Sequence, residues 1–265
     1  MKITIKIKIK MEVLDLTLPT PAENLACDEA LLDWREEEGG EEILRFWEPR
    51  EHFVVVGYAN KVASEVNVAA CEGKIPVLRR CSGGGTVLQG PGCLNYSLIL
   101  KIAENGALRS ITSANRFVME RNRAAIEKLL TSQPATGNGQ PAIEVQGHTD
   151  LTIRYPLSAI RHPLKFSGNA QRRKKKFLLF HGTFLLDFDL ALVEKILPLP
   201  SKQPHYRQNR SHADFLVNLA RPSGSLKRAL RQAWRAADPL QNVPWEKIAL
   251  LARDKYATTR WNLKF

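Results

Sequence analysis

The first ten residues, MKITIKIKIK, alternate apolar and polar positions with the period of a β-strand. The run reads either as an added edge strand, its lysines discouraging further pairing, or as an extension ahead of a domain that starts near Met11; the extension is favoured. Beyond it, Leu25, Ala26, Glu29, Ala30, Leu32 and Asp33 recur at helical spacing, with Pro21 suited to a first turn, and predict a helix over residues 20–38. Short apolar runs predict strands over 43–47, 53–57, 76–80, 85–88 and 94–100, with a short helix over 61–72. Phe117, Val118, Ile126, Leu129 and Leu130 form the stripe of a helix over 112–130, followed by a polar, turn-rich loop at 131–140. Strands resume at 143–145, 151–154, 164–167 and 177–186, and helices are predicted over 189–196, 225–237 and 245–256. The pattern is α+β, a mainly antiparallel or mixed sheet with flanking helices, and shows no internal repeat.

The 265 residues suffice for one large domain or two small ones, and 44% apolar with 25% charged residues is an ordinary globular balance. The longest apolar runs are too short to cross a bilayer, so no membrane partner is expected. The N-terminus lacks the apolar region of a secretory signal, and a cytoplasmic protein is expected. Cys27, Cys71, Cys81 and Cys93 form no CxxC pair, which argues against a zinc site or a disulfide framework. The formal charge of +12 is unevenly spread: Glu36, Glu37, Glu38, Glu41 and Glu42 are acidic, while basic residues crowd into 161–176, 202–210 and 227–235. Such runs suit an anionic partner. No helix-turn-helix, zinc or RNP signature accompanies them, so nucleic acid is not expected.

The stretch RRCSGGGTV, from Arg79 to Val87, is the most informative local signal. Consecutive glycines let backbone N–H groups converge on a concave site, and adjacent arginines can direct charge-assisted hydrogen bonds at phosphate. It is neither a Walker loop nor a GxGxxG turn opening a helix. Taken alone, it reads equally well as a flexible turn. Downstream stand Asp150-Leu151, then KFSGNAQRR from Lys165, then HGTFLL from His181. Separated motifs in this order resemble the lipoate–protein ligase family, relatives of biotin–protein ligases and octanoyltransferases. The likeness spans roughly residues 14–197, and the closing Lys255, Tyr256, Trp261 and Asn262 are also similar to the family's ending.

That resemblance implies a biotin/lipoate-ligase fold, related to the catalytic domains of class II aminoacyl-tRNA synthetases. It implies that Arg80, Ser82, Gly83, Gly84, Gly85 and Thr86 line the acyl pocket and the activated phosphate. Lys165 matches the family's essential lysine and Asp150 its acidic position, which would also be the place to hold Mg²⁺. Gly168, Asn169, Ala170, His181 and Thr183 would complete the site, His181 as a pocket residue and not a general base. The implied reaction uses ATP to convert lipoate or octanoate to an acyl-adenylate, then passes the acyl group to a lysine of a lipoyl carrier protein. A lysine ammonium suits both steps, because each places negative charge on oxygen at the reacting centre.

Two departures bear on this reading. Only about 65 residues follow position 201, too few for the usual accessory domain; residues 11–265 are expected to form one catalytic domain, with any accessory function supplied by a separate subunit. Related octanoyltransferases use a cysteine thiolate and no ATP. That cysteine lies just before the Asp-Leu strand, where this chain has Glu144, Val145, Gln146 and Gly147. The ligase is therefore placed first and an ATP-independent octanoyl or lipoyl transferase second. A biotin ligase fits less well, since its Gly-Arg-Gly-rich loop is not present at 79–86, and retention of Lys165 argues against a non-catalytic acyl-binding relative. The basic, aromatic run at 203–212 defaults to a surface loop, with a carrier-docking or nucleotide-covering loop as the alternative. Lys165→Ala is expected to lower acyl transfer about 10²–10³-fold, roughly 3–4 kcal/mol; steady-state kinetics on the folded variant check this.

Overall fold

The computed structural model describes residues 11–71, 73–132, 139–156, 162–200 and 202–265; the alternating run at 1–10 and residues 133–138 of the predicted loop lie outside them. Helix α1 (Pro21–Glu38) starts on a capping box: Thr20 accepts from the Glu23 N–H, and the Glu23 carboxylate accepts from the Thr20 N–H at 2.8 Å. It stops at Gly39, whose φ of 77° favours a residue without a β-carbon. Before it runs β1 (Met11–Asp15) and after it β2 (Glu42–Trp47), paired in parallel, with Arg35 of the helix in an ion pair with Glu12.

The remaining elements are β3 (Phe53–Val56), α2 (Val62–Glu65), β4 (Val77–Arg79), β5 (Val87–Gln89), β6 (Cys93–Lys101), α3 (Ile111–Thr131), β7 (Ala142–Gln146), β8 (Asp150–Arg154), β9 (Leu164–Arg173), β10 (Phe177–Leu185), α4 (Leu190–Ile196), α5 (His212–Phe215), α6 (Ser223–Trp234), β11 (Ala236–Pro239), α7 (Trp245–Leu251) and α8 (Thr259–Asn262). The large sheet is ordered β11-β1-β2-β6-β10-β9-β8-β7, and a smaller one β4-β3-β5. The sheet is mixed: β1 runs parallel to both β11 and β2, while β2, β6, β10, β9, β8 and β7 pair antiparallel.

Both faces of the large sheet are covered, which explains why β6 is buried along nearly its whole length and, apart from Asn95 and Ser97, reads as an apolar run. Leu94, Tyr96, Leu98 and Leu100 face the core shared with Val118, Met119 and Ile126 of α3 and Leu226 and Leu230 of α6. Ile99 faces the other way, into the core of α1, α7 and Leu179. A third cluster joins Val54, Val56 and Leu88 of the small sheet to Val193 and Ile196 of α4. Each such side chain contributes roughly 1.5–3 kcal/mol on burial.

Several predicted elements change. The helix expected over 61–72 shrinks to α2 and a 3₁₀ turn at Ala69–Cys71. Residues 236 and 237 leave the predicted helix and, with 238 and 239, form β11, after Arg235 terminates α6 with a φ of 55°. The tail of the last long helix becomes a π turn, Ala252–Tyr256. β9 extends through the SGNAQ motif, so those residues lie on a strand. The basic turn after β9 is also neutralised internally. The Glu36 carboxylate accepts from the N–H groups of Lys175, Lys176 and Phe177, and Lys174 pairs with Asp33 at 2.5 Å. No described helix is long and apolar enough to cross a membrane.

One buried cation ties α1 to β2. Arg45 is fully buried and donates to Asp28 at 2.6 Å, to the Asn24 side chain and carbonyl, and to the Leu16 carbonyl. Removing one partner of a buried pair leaves the other charge without compensation, at about 3–5 kcal/mol. Arg45→Met is expected to lose that much unfolding free energy in denaturant titration, and Arg45→Met with Asp28→Leu to recover most of it.

Candidate active site

The antiparallel pairing of β6, β10, β9 and β8 brings the separated motifs together. They line a cavity of about 300 Å³, closed on another side by the glycine turn and β5 of the small sheet. Arg80, Gly84, Gly85, Thr86, Asp150, Lys165, Gly168, Asn169, Ala170, His181 and Thr183 all line it. Ser82 and Gly83 do not, although Ser82 reaches the site through His181.

Lys165 sits where β9 carries an extra residue against β8. Leu151 pairs with Ser167 but Thr152 with Lys165, so Phe166 bulges out of register and is buried. Bulges of this kind re-aim the side chains beside them. The Lys165 ammonium crosses Gly168 to reach Asp150 Oδ1 at 2.8 Å. A β-carbon on Gly168 would stand 2.9 Å from that nitrogen, which explains the glycine. The second carboxylate oxygen accepts from the Tyr206 hydroxyl at 2.7 Å. With one oxygen on an ammonium and the other on a phenol, Asp150 does not fit the expected role of a Mg²⁺ ligand. Among the described residues no group of three or more His, Cys, Asp or Glu surrounds a metal position.

The arginines serve a different end from the one expected. Arg80 donates from Nε to Ser82 Oγ, and from Nη2 to the carbonyls of Gly83 at 2.6 Å and Gly85 at 2.7 Å. Its donors thus pin the glycine turn instead of pointing at phosphate. Burial lowers its pKa to about 10, which leaves it charged at neutral pH. Arg79 is wholly buried and donates to the carbonyls of Gly57, Tyr58, Asn60, Trp261 and Asn262, tying the turn to the chain's end. The turn packs closely: a β-carbon on Gly57 would lie 2.1 Å from the Gly84 carbonyl oxygen.

Two polar networks shape the opposite wall. Tyr96 donates to Asn169 Oδ1 at 2.6 Å, and the Asn169 amide donates to the Thr149 carbonyl at 2.7 Å. Behind them Asn122 donates to Tyr96 and accepts from Trp234 of α6. A β-carbon on Gly182 would stand 1.7 Å from Asn169 Oδ1, so the glycine of HGT makes room for that amide. Gln89, Asn95 and Thr183 close a ring of hydrogen bonds among themselves. Gln89 and Asn95 were not expected from the sequence; the available signal was polar side chains inside apolar strands. Leu25 and Trp47 add apolar wall, Arg207 and His212 arrive from the run that read as a surface loop, and Phe215 from the end of α5 just beyond it.

No cysteine lines the cavity. All four are buried free thiols, and burial pushes Cys81 and Cys93 up to about 12 and Cys27 to about 11. His181 is held neutral, its pKa lowered to about 4 by burial, with Nε2 2.6 Å from Ser82 Oγ.

The model of the lipoyl protein ligase A/B catalytic domain matches residues 20–232. The chain belongs to that family. It is 26% identical to octanoyltransferase LipM of Geobacillus kaustophilus, over 92% of this chain and 94% of the relative, and 26% identical to LipM of Bacillus subtilis, over 92% and 95%. Its fold is similar to that of a bi-partite lipoate protein ligase from Thermoplasma acidophilum, with a TM-score of 0.74 at 23% identity, covering 96% of each chain. It is also similar to a lipoate-protein ligase A bound with ATP, at 0.67 and 26%, covering 96% of this chain and 98% of that one. The fold is the expected α+β ligase fold, and the chain is an enzyme of the lipoate ligase and octanoyltransferase family. The names of the curated relatives favour the transferase that the sequence reading placed second.

His181 predicts a pH effect on this family member's stability. Above the ordinary imidazole value of 6.5 folded and unfolded chains are both neutral there; below it the unfolded chain takes up a proton that the folded site refuses until about pH 4. Stability is therefore lost as pH falls from 6.5 to 4, by on the order of 3 kcal/mol from this residue. Denaturant titrations across that range are expected to show a correspondingly flatter decline for His181→Gln.

Proposed function

We propose that this protein transfers an octanoyl or lipoyl group from an activated donor to a lysine of a lipoyl carrier domain. The observation that carries this reading is the Lys165 ammonium, anchored on Asp150 inside a cavity with apolar walls and a glycine-lined approach. The carrier amine attacks the acyl carbonyl carbon, and negative charge develops on the carbonyl oxygen. A preorganised ammonium in a partly desolvated site stabilises that oxyanion. Collapse breaks the bond to the leaving group, which departs with the electron pair, while the amine proton passes to solvent or to that group.

The octanoyltransferase relatives support an acyl thioester as donor, without ATP. Since no cysteine lines the cavity, the acyl group would then pass directly from the donor thioester to the carrier amine, with no enzyme thioester between. One observation favours a second reading. A cavity that offers an ammonium but no thiol also suits a donor activated beforehand as an acyl-adenylate, and the relative with bound ATP supports it.

The two readings separate in one experiment. A lipoyl carrier domain incubated with octanoyl-acyl carrier protein, or with lipoate, ATP and Mg²⁺, is followed by mass spectrometry. A gain of one acyl mass with the thioester alone is expected; a gain only with free acid and ATP, accompanied by lipoate-dependent ATP–pyrophosphate exchange, establishes the adenylate route. No acylation in either arm overturns the proposal.

A further inference from the structure

The run at residues 203–212, by default a surface loop from its sequence, is built against Lys165. Pro204 and Tyr206 pack over the turn before β8, each within 4 Å of where a β-carbon on Gly147 would stand, and Gly147 itself has a φ of 56°. The Tyr206 ring leans on Phe215, with centroids 5.3 Å apart. Gln208 and Asn209 then take left-handed backbone, at φ of 53° and 57°, and turn the chain back. Arg210 braces that turn, donating to the Tyr206 carbonyl at 3.0 Å and to the Pro163 carbonyl at 3.2 Å. Past α5, the Val217 N–H donates to the Lys165 carbonyl at 2.9 Å. The segment thus grips Lys165 by its backbone from one end and by its counter-ion from the other.

We infer that Tyr206 is a positioning residue for acyl transfer, holding the Asp150 carboxylate by one oxygen so that the other places the Lys165 ammonium. This rests on the transfer reaction proposed above. A carboxylate turns freely about its terminal torsion, and either oxygen can meet an ammonium. The Tyr206 hydroxyl, 2.7 Å from Oδ2, removes that freedom and leaves Oδ1 at 2.8 Å from Nζ. The phenol remains a donor, because burial and the adjacent carboxylate both oppose its ionisation. It also shares the carboxylate charge, so the ammonium keeps N–H donors available for an acyl oxygen instead of collapsing wholly onto Asp150.

Tyr206→Phe keeps the ring on Phe215 and removes the hydroxyl alone. With whichever donor supports acylation, it is expected to lower kcat about tenfold with KM for donor and carrier changed less than twofold. In an Asp150→Asn background the same substitution is expected to change kcat less than twofold, because its route to Lys165 is already cut. An equal loss in both backgrounds, or a kcat for Tyr206→Phe within twofold of the parent, overturns the inference. A second arm needs no activity. In protein labelled with ¹³C-lysine, the Cε–Hε signal of Lys165, assigned by its disappearance in Lys165→Arg, is expected to shift in Tyr206→Phe while other lysine signals hold still. An unmoved signal overturns the positioning role even if the chain proves to transfer no acyl group; a moved signal without any acylation refutes the proposed function and leaves the contact standing.

Discussion

The ion pair between Lys165 and Asp150 is the constraint around which the cavity is arranged. It joins adjacent strands at the point where β9 carries an extra residue, and Gly168 leaves space for the lysine to cross. A charge pair of this kind, with the side chains 24% and 14% exposed, is stabilised by its surroundings more than by its own Coulomb energy. Those surroundings are the Tyr206 hydroxyl, the backbone grip of Val217 and the rigid ladder of β8, β9 and β10. In the acyl transfer proposed above, preorganisation of the ammonium matters because no reorganisation is then needed as charge develops.

The same logic of buried cations recurs away from the chemistry. Arg45, Arg79 and Arg80 are each enclosed; Arg79 and Arg80 spend their donors mainly on backbone carbonyls, and Arg45 divides its donors between carbonyls and the Asp28 and Asn24 side chains. Arg45 fixes the helix that carries Leu25 to the cavity wall; Arg79 binds the small sheet to the chain's last residues; Arg80 sets the shape of the glycine turn. A planar guanidinium with several donors can hold irregular backbone that no ladder satisfies. Part of the excess positive charge therefore works inside the molecule. Another part, in the turn after β9, is met by Glu36 and Asp33 of α1.

The chemistry open to the cavity follows from what faces it. The His181 imidazole is neutral, the chain's thiols are buried elsewhere with raised pKa values, and the Lys165 ammonium faces the cavity on its Asp150 anchor. Under the transfer proposed above, such a site would act on an acyl carbonyl that arrives already activated. That proposal suits both an acyl thioester and an acyl-adenylate, and the chain is similar both to relatives named octanoyltransferase and to a lipoate-protein ligase A bound with ATP.

Local pattern was enough for α1, with its Thr20 capping box, for α3, with its apolar stripe, and for the central strands, whose continuous apolar runs have partners on both faces. The ordered motifs likewise marked Lys165, Asp150, the glycine turn and the SGNAQ and HGT segments as one site, and Lys165, Asp150, Gly84, Gly85, the SGNA residues and HGT line one cavity, while Ser82, Gly83 and Gln171 do not. Their meeting, however, is a product of strand pairing across long stretches of chain. β11 was hidden because its four residues carry no alternation and depend on β1 for hydrogen bonds. Arg80 looked phosphate-directed until its carbonyl partners were in place. Tyr206 could not be found from its neighbours, because its significance is a hydroxyl landing on a carboxylate 56 residues earlier in the chain. Periodicity and turn chemistry act over a few residues and are written in order along the sequence; the destination of a buried donor depends on which distant acceptor the completed fold leaves within 3 Å of it.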